Sequence, residues 1–295
     1  MVQDELSRAI VSTLTAYVAK LSADAAMRQP IERLAAYDLY LRGREMLREW
    51  VPSSDGGRCI DEARKVFRQG ATADPRYARS LIGLSECDVC AWVEPSPYGS
   101  LMDDYQNAEV LNRALVFAQK AVSLDGSLDE ARAQLGWVLH WKRRIEESVR
   151  EYDRAFALNP NMTDRHYGNV LAKAGRALDA IAYIRDVMGR DPFHNEELLA
   201  HLGHALYLVE QYEEAAEVLR RCVRAAPDWR PLQVWLAAAC AQMGSMDEAR
   251  SAAQHVRRIE PAFTIARWVG FEPYARPQDA GKIAEGLFKA GLPER

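Results

Sequence analysis

Apolar and small residues recur along this chain in a repeating block. In each block an alanine or serine precedes a proline or glycine by twelve residues: Ala63/Pro75, Ala114/Gly126, Ser148/Pro160, Ala180/Pro192, Ala215/Pro227 and Ala249/Pro261. The last four blocks recur at 32 to 35 residues, and a second apolar segment lies upstream in each, starting at Leu135, Tyr167, Leu202 and Leu236. Two apolar-periodic segments followed by a proline predict a pair of antiparallel helices per block.

The residue sizes within a block predict how the two helices pack. Small residues in the first helix allow the second to approach closely, and large residues in the second then fill the seam towards the next block; the small set is Gly136, Gly168, Gly203 and Ala237, the large set Tyr152, Ile184 and Leu219. Gly175 and Gly244 are expected to end the first helices of their blocks. The predicted core includes Leu135, Leu202, Leu219 and Leu236, so Leu202→Ala should cost roughly 2 to 5 kcal/mol.

A two-helix block of about 34 residues is the signature of the tetratricopeptide repeat. One block cannot bury its apolar face alone, so the blocks must stack. We therefore predict an all-α, right-handed superhelix of about six helix pairs, in which the first helices line the inner surface. The predicted parts are an N-terminal capping helix and linker at 1–35, repeats at 36–77, 78–128, 129–160, 161–195, 196–229 and 230–263, and a C-terminal capping helix at 264–295.

The two caps and two insertions interrupt this regular pattern. The N-terminal helix has one apolar stripe, and the C-terminal helix should turn Ile283, Leu287 and Phe288 inward and stop at Gly291. The first two repeats carry insertions that either form functional loops or lengthen the helices. Their apolar residues either form a surface for self-association or fold back onto these repeats; they are Trp50, Trp92, Tyr98 and Leu101.

Composition and charge exclude several function classes. The chain has 295 residues, 48% of them hydrophobic and 27% charged, with a net charge of -4. It can bury a large core, and it lacks the positive charge typical of nucleic-acid binding. The sequence has no apolar run of membrane length, and the first ten residues contain acids where a secretory signal has basic residues. We therefore expect a cytoplasmic protein with no nucleic-acid or membrane partner.

The sequence offers little catalytic chemistry. Cys87 and Cys90 lack the second cysteine pair that a zinc site needs, so we interpret them as small buried side chains. His201 and His204 have the i, i+3 spacing of a ligand pair but no predictable third ligand, and we expect them at the surface or in the groove. No nucleophile elbow, phosphate-binding loop or zinc-protease motif stands out. We expect no catalytic residue, cofactor or metal.

The inward-facing positions of the first helices predict a binding groove. Repeat three contributes Trp137, His140 and Trp141, repeat four contributes Arg165, Asn169 and Lys173, and repeat five contributes His204 and Tyr207. Aromatic side chains beside two cations and an amide would suit an acidic or C-terminal peptide. The alternative is structural: Trp137 packs between repeats and Lys173 is only solvated.

Several segments are more distinctive than the repeats. They are VQDELSRAIVSTL, LAAYDLYLRGREML, ATADPRYARSLIGLSECD, AFTIARWVGFEPYARPQD and EGLFKAGLPE. They resemble the C-terminal tetratricopeptide regions that follow the catalytic domain in rhizobial-type class III adenylate/guanylate cyclases; similar regions follow winged-helix domains in bacterial regulators. The resemblance covers nearly the whole chain and implies a fragment of a longer protein. Cyclase activity does not carry over, because the paired metal-binding aspartates of the catalytic domain are missing.

Three functions remain open from the sequence. The first is a non-catalytic regulatory module that binds a peptide or partner domain in its concave groove. The second is self-association as a homodimer that brings catalytic domains together. The third is a sensor whose superhelix changes when a small ligand binds.

Overall fold

The computed structural model describes residues 31–48, 56–94, 103–191 and 196–295. This part of the chain forms helices and no strand. The helices are α1 (Ile31–Arg48), α2 (Gly56–Ala73), α3 (Ala78–Val93), α4 (Ala108–Leu124), α5 (Asp129–Trp141), α6 (Ile145–Leu158), α7 (Tyr167–Lys173), α8 (Ala177–Arg190), α9 (Glu196–Leu208), α10 (Tyr212–Ala225), α11 (Arg230–Gln242), α12 (Met246–Ile259), α13 (Ile265–Phe271) and α14 (Pro277–Lys289). The predicted N-terminal helix, Trp50, Tyr98 and Leu101 lie outside the described residues.

Successive helices pack as six pairs, from α1 with α2 to α11 with α12. The first helices of neighbouring pairs also contact one another, α3 with α5, α5 with α7, α7 with α9 and α9 with α11. They form a continuous inner layer, while the second helices form the outer layer. The predicted all-α tetratricopeptide superhelix is confirmed.

In the third, fourth and fifth pairs the seam between the two helices depends on a glycine. A Cβ atom placed on Gly203 would lie 2.7 Å from Leu219 Cγ, and one on Gly168 would lie 2.6 Å from Ile184 Cδ1. Real Cβ atoms do not approach that closely, so only glycine lets the large side chain of the second helix sit against the first. The close approach at these small residues is as predicted, but the large residues, predicted to fill the seam towards the next block, lie against the glycine of their own pair.

Four inner helices end in the same way. Each is followed by a residue with positive φ: Arg143 at 59°, Gly175 at 85°, Glu210 at 67° and Gly244 at 80°. The residue after each donates a backbone hydrogen bond to a carbonyl five positions earlier, as Arg176 does to Leu171. The stops predicted at the two glycines are confirmed; the other two blocks adopt this conformation without glycine.

The predicted core positions are buried. Leu135, Leu202, Leu219 and Leu236 are each no more than 8% exposed. Cys87 and Cys90 are free, buried thiols, as interpreted, and burial raises the pKa of both. They pack in the core cluster of the first two repeats.

The early repeats and the fourth depart from a uniform unit. Helices α1 to α4 have 16 to 18 residues, against 13 or 14 in the later pairs apart from α7, so the insertions partly lengthen the helices. Helix α7 has only 7 residues. The Asp164 carboxylate accepts hydrogen bonds from the backbone N–H groups of His166 and Tyr167, both at 2.9 Å, and this starts α7 late. Arg165 therefore lies in the turn before α7, not on a helix.

The C-terminal region differs from the single predicted helix. It consists of α13 and α14, and α14 packs on the inner helix α11. Ile283 and Leu287 are fully buried and Gly291 follows the helix with a φ of 89°, as expected. Phe288 was predicted to point inward and is 60% exposed. It adjoins the buried stripe of Asp279, Ile283, Gly286 and Leu287, but it is rotated about 100° from Leu287 around the helix axis.

Candidate functional site

The chain that follows α13 enters the concave side of the superhelix. The ring of Phe271 lies 5.1 Å from that of Trp92 and 5.4 Å from that of Trp141, measured between centroids. The backbone N–H of Ala275 donates to the carbonyl of Lys173 at 2.8 Å. Part of the inner face is therefore covered by the protein's own C-terminal segment, residues 271–276.

A buried ion pair joins this segment to α7. The Lys173 ammonium contacts the Glu272 carboxylate, with side chains 1% and 4% exposed. The ammonium also lies 5.0 Å from the centroid of the Trp141 ring. Burial lowers the pKa of Lys173, and Glu272 opposes this shift by stabilising the charged form. The ion pair compensates the cost of burying either charge alone.

The two predicted groove residues of α9 also contact the C-terminal region. The Tyr274 hydroxyl lies 2.7 Å from His204 Nε2, and the Tyr207 hydroxyl donates to the carbonyl of Lys282 at 2.7 Å. Both inner residues are fully buried. Burial lowers the pKa of His204 strongly, and the nearby Lys173 cation adds to this effect. This imidazole is therefore neutral at pH 7.

Arg165 connects two inner helices that are distant in sequence. Its guanidinium pairs with Glu86 of α3 and, at 3.0 Å, with Glu197 of α9. Burial, the largest single effect, would raise the pKa of both carboxyls, but Arg165 together with other basic neighbours lowers both pKa values. His201 Nδ1 also lies 3.0 Å from the carbonyl of Arg165. The turn before α7 is thus held by charge and hydrogen bonds from both sides.

Trp137 is stacked between two imidazoles. Its ring centroid lies 4.1 Å from that of His166, with 3° between the planes, and 5.3 Å from that of His140, with 10° between the planes. His140 is fully buried, and burial lowers its pKa well below 6.5. This stack belongs to the packed inner layer, in which Trp137 is only 5% exposed.

Arg230 at the start of α11 is a site residue that the sequence reasoning missed. Its guanidinium donates to Glu260 at 2.8 Å and to the Tyr105 hydroxyl at 3.1 Å, and lies 3.7 Å from Glu94. The guanidinium carbon is 5.2 Å from the centroid of the Trp268 ring. The insertion of repeat two thereby reaches repeat six across the concave side.

The other missed residues are Glu94, Tyr105, Trp268, Phe271 and Glu272. Trp268, Phe271 and Glu272 lie in the distinctive segment AFTIARWVGFEPYARPQD, and Glu94 and Tyr105 lie in the long insertion of repeat two, between Cys90 and Leu111. The unusual character of these segments was the available signal, but helical periodicity gave no reason to place them in the groove.

The inner face has two separate spaces. The central cavity, about 50 Å³, lies between α3, α5, α7, α9, α11 and α13 and is lined by residues that include Trp137, Trp141, Asn169, Trp235, Trp268 and Phe271. The open groove, about 660 Å³, lies between α1, α3, α5 and the loop before α7. Its charged lining residues are Arg44, Glu45, Glu86, Glu130, Asp164, Arg165 and Asp191.

The predicted groove residues thus lie on the inner face, but most of them are not open to solvent. Lys173 and Arg165 are engaged by carboxylates of this chain, and Asn169 is 3% exposed. Lys173 is therefore neither a solvated surface residue nor one arm of an open clamp. Whether the eight positions bind a ligand stays a prediction.

The two histidines with ligand spacing are used in hydrogen bonds. They are buried on the inner face, one against the Arg165 carbonyl and the other against Tyr274. Across the ranges that the structure describes, no group of three or more His, Cys, Asp or Glu side chains is placed to hold a metal ion. Nor is any described helix both long and apolar enough to span a membrane.

Comparison with known proteins supports this architecture. A family profile described as "Tetratricopeptide repeat" matches residues 196–228, the fifth pair. The Cut9–Hcn1 hetero-tetramer of the APC/C aligns with a TM-score of 0.56 and 15% identity over 87% of this chain and 47% of that one. The structure of pilF from Pseudomonas aeruginosa aligns with a TM-score of 0.50 and 15% identity over 79% and 95%. The fold class is a tetratricopeptide superhelix.

A more particular similarity is to a curated bacterial protein. The chain is 29% identical over 150 residues to "Putative adenylate cyclase 3" of Rhizobium meliloti (strain 1021). The match covers 50% of this chain and 23% of that protein. It supports an association between this tetratricopeptide region and cyclases, in line with the resemblance seen in the sequence.

Proposed function

We propose that this chain is a non-catalytic regulatory module whose open groove binds an extended, basic segment of a partner protein. The observation that carries the proposal is the charge of that groove. Five acidic side chains line it, against two arginines and one histidine, and acidic groups stay in excess although Glu86 pairs with both arginines and Glu130 pairs with Arg79. A surface with excess negative charge attracts and orients lysine- and arginine-rich segments.

An acidic partner, which the sequence suggested, gains no support from the inner face. The two cations expected to hold it already form ion pairs with Glu86, Glu197 and Glu272. An incoming carboxylate would have to displace a buried partner of the same charge, which would leave that charge unpaired. The open groove therefore suits a basic segment better than an acidic one.

We further propose that the module is the C-terminal part of a longer class III nucleotide cyclase. The partial similarity to a putative adenylate cyclase supports this proposal, as do the distinctive C-terminal segments. In such a protein, a segment bound in the open groove would couple a partner to the catalytic domains. The cytoplasm is the compartment that this role requires.

The proposed peptide specificity can be tested by fluorescence anisotropy. A labelled twelve-residue peptide rich in lysine and arginine should bind, and an acidic peptide of equal length should bind at least about tenfold more weakly. The double variant Glu45→Lys/Glu130→Lys should weaken binding of the basic peptide at least about tenfold. The matched control Glu146→Lys/Asp247→Lys makes the same charge change at two highly exposed outer positions and should leave binding unchanged. Equal binding of both peptides would refute the proposal.

Self-association is a second candidate, favoured by one face of α1. Leu34, Tyr37 and Leu41 lie three and four positions apart and are 37%, 48% and 47% exposed. A stripe of exposed apolar residues on one helix face is typical of an interface. Sedimentation equilibrium should give a dimer mass that Tyr37→Ser/Leu41→Ser reduces to the monomer mass, while the exposed control Leu178→Ser does not. A concentration-independent monomer mass would reject this candidate.

A further inference from the structure

The C-terminal segment, residues 271–276, is joined to the inner helices mainly through side chains. Among the described residues, a single backbone hydrogen bond connects the two, from the Ala275 N–H to the Lys173 carbonyl at 2.8 Å. The exposed Arg143 side chain donates to the Phe271 carbonyl at 3.2 Å. The other contacts come from the side chains of Phe271, Glu272 and Tyr274. A segment with so few backbone hydrogen bonds detaches at a lower cost in free energy than a packed helix.

His204 is a titratable group that this segment covers. The Tyr274 hydroxyl lies 2.7 Å from its Nε2 atom, and its ring stacks on that of Trp235 with 4.7 Å between centroids. The second ring nitrogen, Nδ1, is buried and has no hydrogen-bond partner within the part of the chain that the structure describes. A neutral imidazole with its proton on Nε2 satisfies this arrangement, because Nδ1 then carries no proton.

A protonated His204 does not fit under the segment. An imidazolium carries a proton on both ring nitrogens, and the N–H at Nδ1 would be buried without an acceptor. Burial lowers the pKa of His204 strongly, and two basic neighbours, Lys173 of α7 and His201 of α9, lower it further. The closed arrangement therefore excludes the charged form of this side chain.

The other groups around His204 do not compensate a positive charge. Helix α11 contributes the uncharged ring of Trp235, and burial raises the pKa of Tyr274, which is neutral at pH 7. The two carboxylates that act on Tyr274 are those of Glu272 and Asp279, and each is bound to a cation of this chain. Protonation of His204 in the closed form would therefore add an unpaired buried charge.

Detachment of the segment changes this balance, because water then reaches both ring nitrogens. A solvated histidine has a pKa of about 6.5, so below that pH the detached form binds a proton that the closed form does not bind. Acid therefore favours detachment, by about tenfold in population for each pH unit below 6.5. Solvated carboxylates titrate about two pH units lower, and Lys173 stays charged in both forms, so these groups add little between pH 7.5 and 5.5.

We propose that the C-terminal segment is a proton-sensitive cover of the inner face, which detaches from α7 and α9 when His204 takes up a proton. Detachment uncovers Lys173 and the ring of Trp141 and leaves the repeats folded. This cover is separate from the open groove, and it does not depend on the function proposed for that groove.

Amide hydrogen exchange of the full chain, resolved by NMR, tests the detachment. The protection factor of the Ala275 N–H should fall about tenfold between pH 7.5 and pH 5.5, after correction for the intrinsic pH dependence of exchange. At both pH values it should lie below that of the Leu219 N–H in the middle of α10, which exchanges when the whole fold opens. The proposal is overturned if Ala275 protection is independent of pH. It is equally overturned if Ala275 and Leu219 are protected to the same extent, since the segment then leaves only on global unfolding.

Matched variants assign the effect to His204. The glutamine of His204→Gln takes up no proton, so Ala275 protection should change less than about twofold between the two pH values. His201→Gln is the same substitution one helical turn away, where the ring contacts the Arg165 carbonyl and not the segment, and the tenfold change should persist. A tenfold change retained in a folded His204→Gln protein, or lost in His201→Gln, would contradict the assignment.

Tyr274→Phe gives a second reading that does not alter the titrating group. Loss of the hydroxyl contact with His204 should lower Ala275 protection at both pH values, while the tenfold ratio between them stays, because His204 remains buried in the closed form. Protection equal to that of the parent at both pH values would show that the contact between Tyr274 and His204 does not hold the segment in place.

Discussion

Lys173 lies on the shortest inner helix with 1% of its side chain exposed, against the Glu272 carboxylate and beneath the Trp141 ring. A lysine so deeply buried is stable only because its partner comes from the C-terminal segment. The same burial keeps His140, His201 and His204 neutral, because no solvent is available to stabilise an imidazolium. The charge state of each of these side chains thus depends on the groups that pack over it.

Removing one member of the buried ion pair should be far worse than removing both. Lys173→Met leaves the Glu272 carboxylate buried without a partner, and we expect a loss of about 3 to 5 kcal/mol in the free energy of unfolding. Lys173→Met/Glu272→Met should recover most of this loss. Urea unfolding measures both variants. The control Arg185→Met breaks the exposed pair with Glu214 and should change the midpoint little; an equally small effect of Lys173→Met would contradict the assignment.

The buried histidines should make the protein acid-sensitive. Burial lowers the pKa of His201 to about 4, while an unfolded histidine has a pKa of about 6.5. Below pH 6.5 the unfolded chain binds more protons than the folded one, so stability falls with decreasing pH, by up to about 1.4 kcal/mol per pH unit for each neutral buried histidine. Burial raises the pKa of Glu94, which acts in the opposite direction but is a single group.

The test is the melting temperature between pH 6.5 and 5.5, a window above the range in which unfolded carboxyls, with an ordinary pKa of about 4.3, take up protons. It should fall steeply, and His201→Gln should make the decrease shallower because one titrating group is removed. His255→Gln, at a partly exposed outer position, should leave the slope unchanged. A melting temperature independent of pH in this window would show that the histidines are charged in the fold.

In the third, fourth and fifth helix pairs, a glycine of the first helix lies against a large side chain of the second. Gly136 meets Tyr152, Gly168 meets Ile184 and Gly203 meets Leu219. The same combination of a glycine and a large side chain recurs because the same contact between two helices recurs in each of these repeats. The inner helices α5, α7, α9 and α11 also end with the same left-handed residue, which reverses the chain into the outer helix. Element geometry is therefore set locally, by residue size and backbone conformation.

Filling one seam should destabilise the fold. Gly203→Ala places a methyl group 2.7 Å from Leu219 Cγ, and we expect a loss of roughly 1 to 3 kcal/mol from overpacking. The double variant Gly203→Ala/Leu219→Val should recover part of it. Gly281→Ala on α14 is the matched control, because a Cβ there meets nothing within 4 Å, and helix propensity should make it neutral or stabilising. Thermal unfolding measures the stability of both single variants. A Gly203→Ala variant more stable than the parent would contradict the close contact between Gly203 and Leu219.

On the scale of the whole molecule, the C-terminal region changes a stack of repeats into a closed core. Phe271 and Glu272 join the inner helices, and Lys282 of α14 donates to the carbonyl of Leu208 at 3.0 Å. In the insertion of repeat two, the Glu94 carboxylate accepts a hydrogen bond from the Trp229 indole N–H at 3.3 Å, although the two residues are 135 positions apart in the sequence. These contacts connect repeats that a simple solenoid keeps apart.

A chain that ends at Pro261 should lose this closure. Without α13 and α14 the aromatic residues of the central cavity face water, so we expect a lower melting temperature, a red-shifted tryptophan emission and binding of a hydrophobic dye, with helical content largely retained. The variant Phe288→Ser, at an exposed position of α14, is the control and should behave as the parent does. An unchanged emission spectrum in the truncated chain would mean that the C-terminal region does not shield these aromatic residues from water.

The sequence by itself determined the repeat, the helix pairs, the glycine seams and the buried leucines. These follow from contacts between residues that lie a few turns or one block apart, and such contacts leave a period in the sequence. It also placed the eight predicted residues on the inner face, because each belongs to a first helix or to the turn before one.

Only the tertiary structure decided what lies against that face. Phe271, Glu272 and Tyr274 follow the last repeat, and their partners on α5, α7 and α9 are about 70 to 130 positions away. Contacts over such separations follow no period, so no pattern in the sequence relates Lys173 to Glu272. The sequence thus identified the helices that form the concave surface, and the fold decided that one half is closed by its own C-terminal chain, while among the described residues the other half is open.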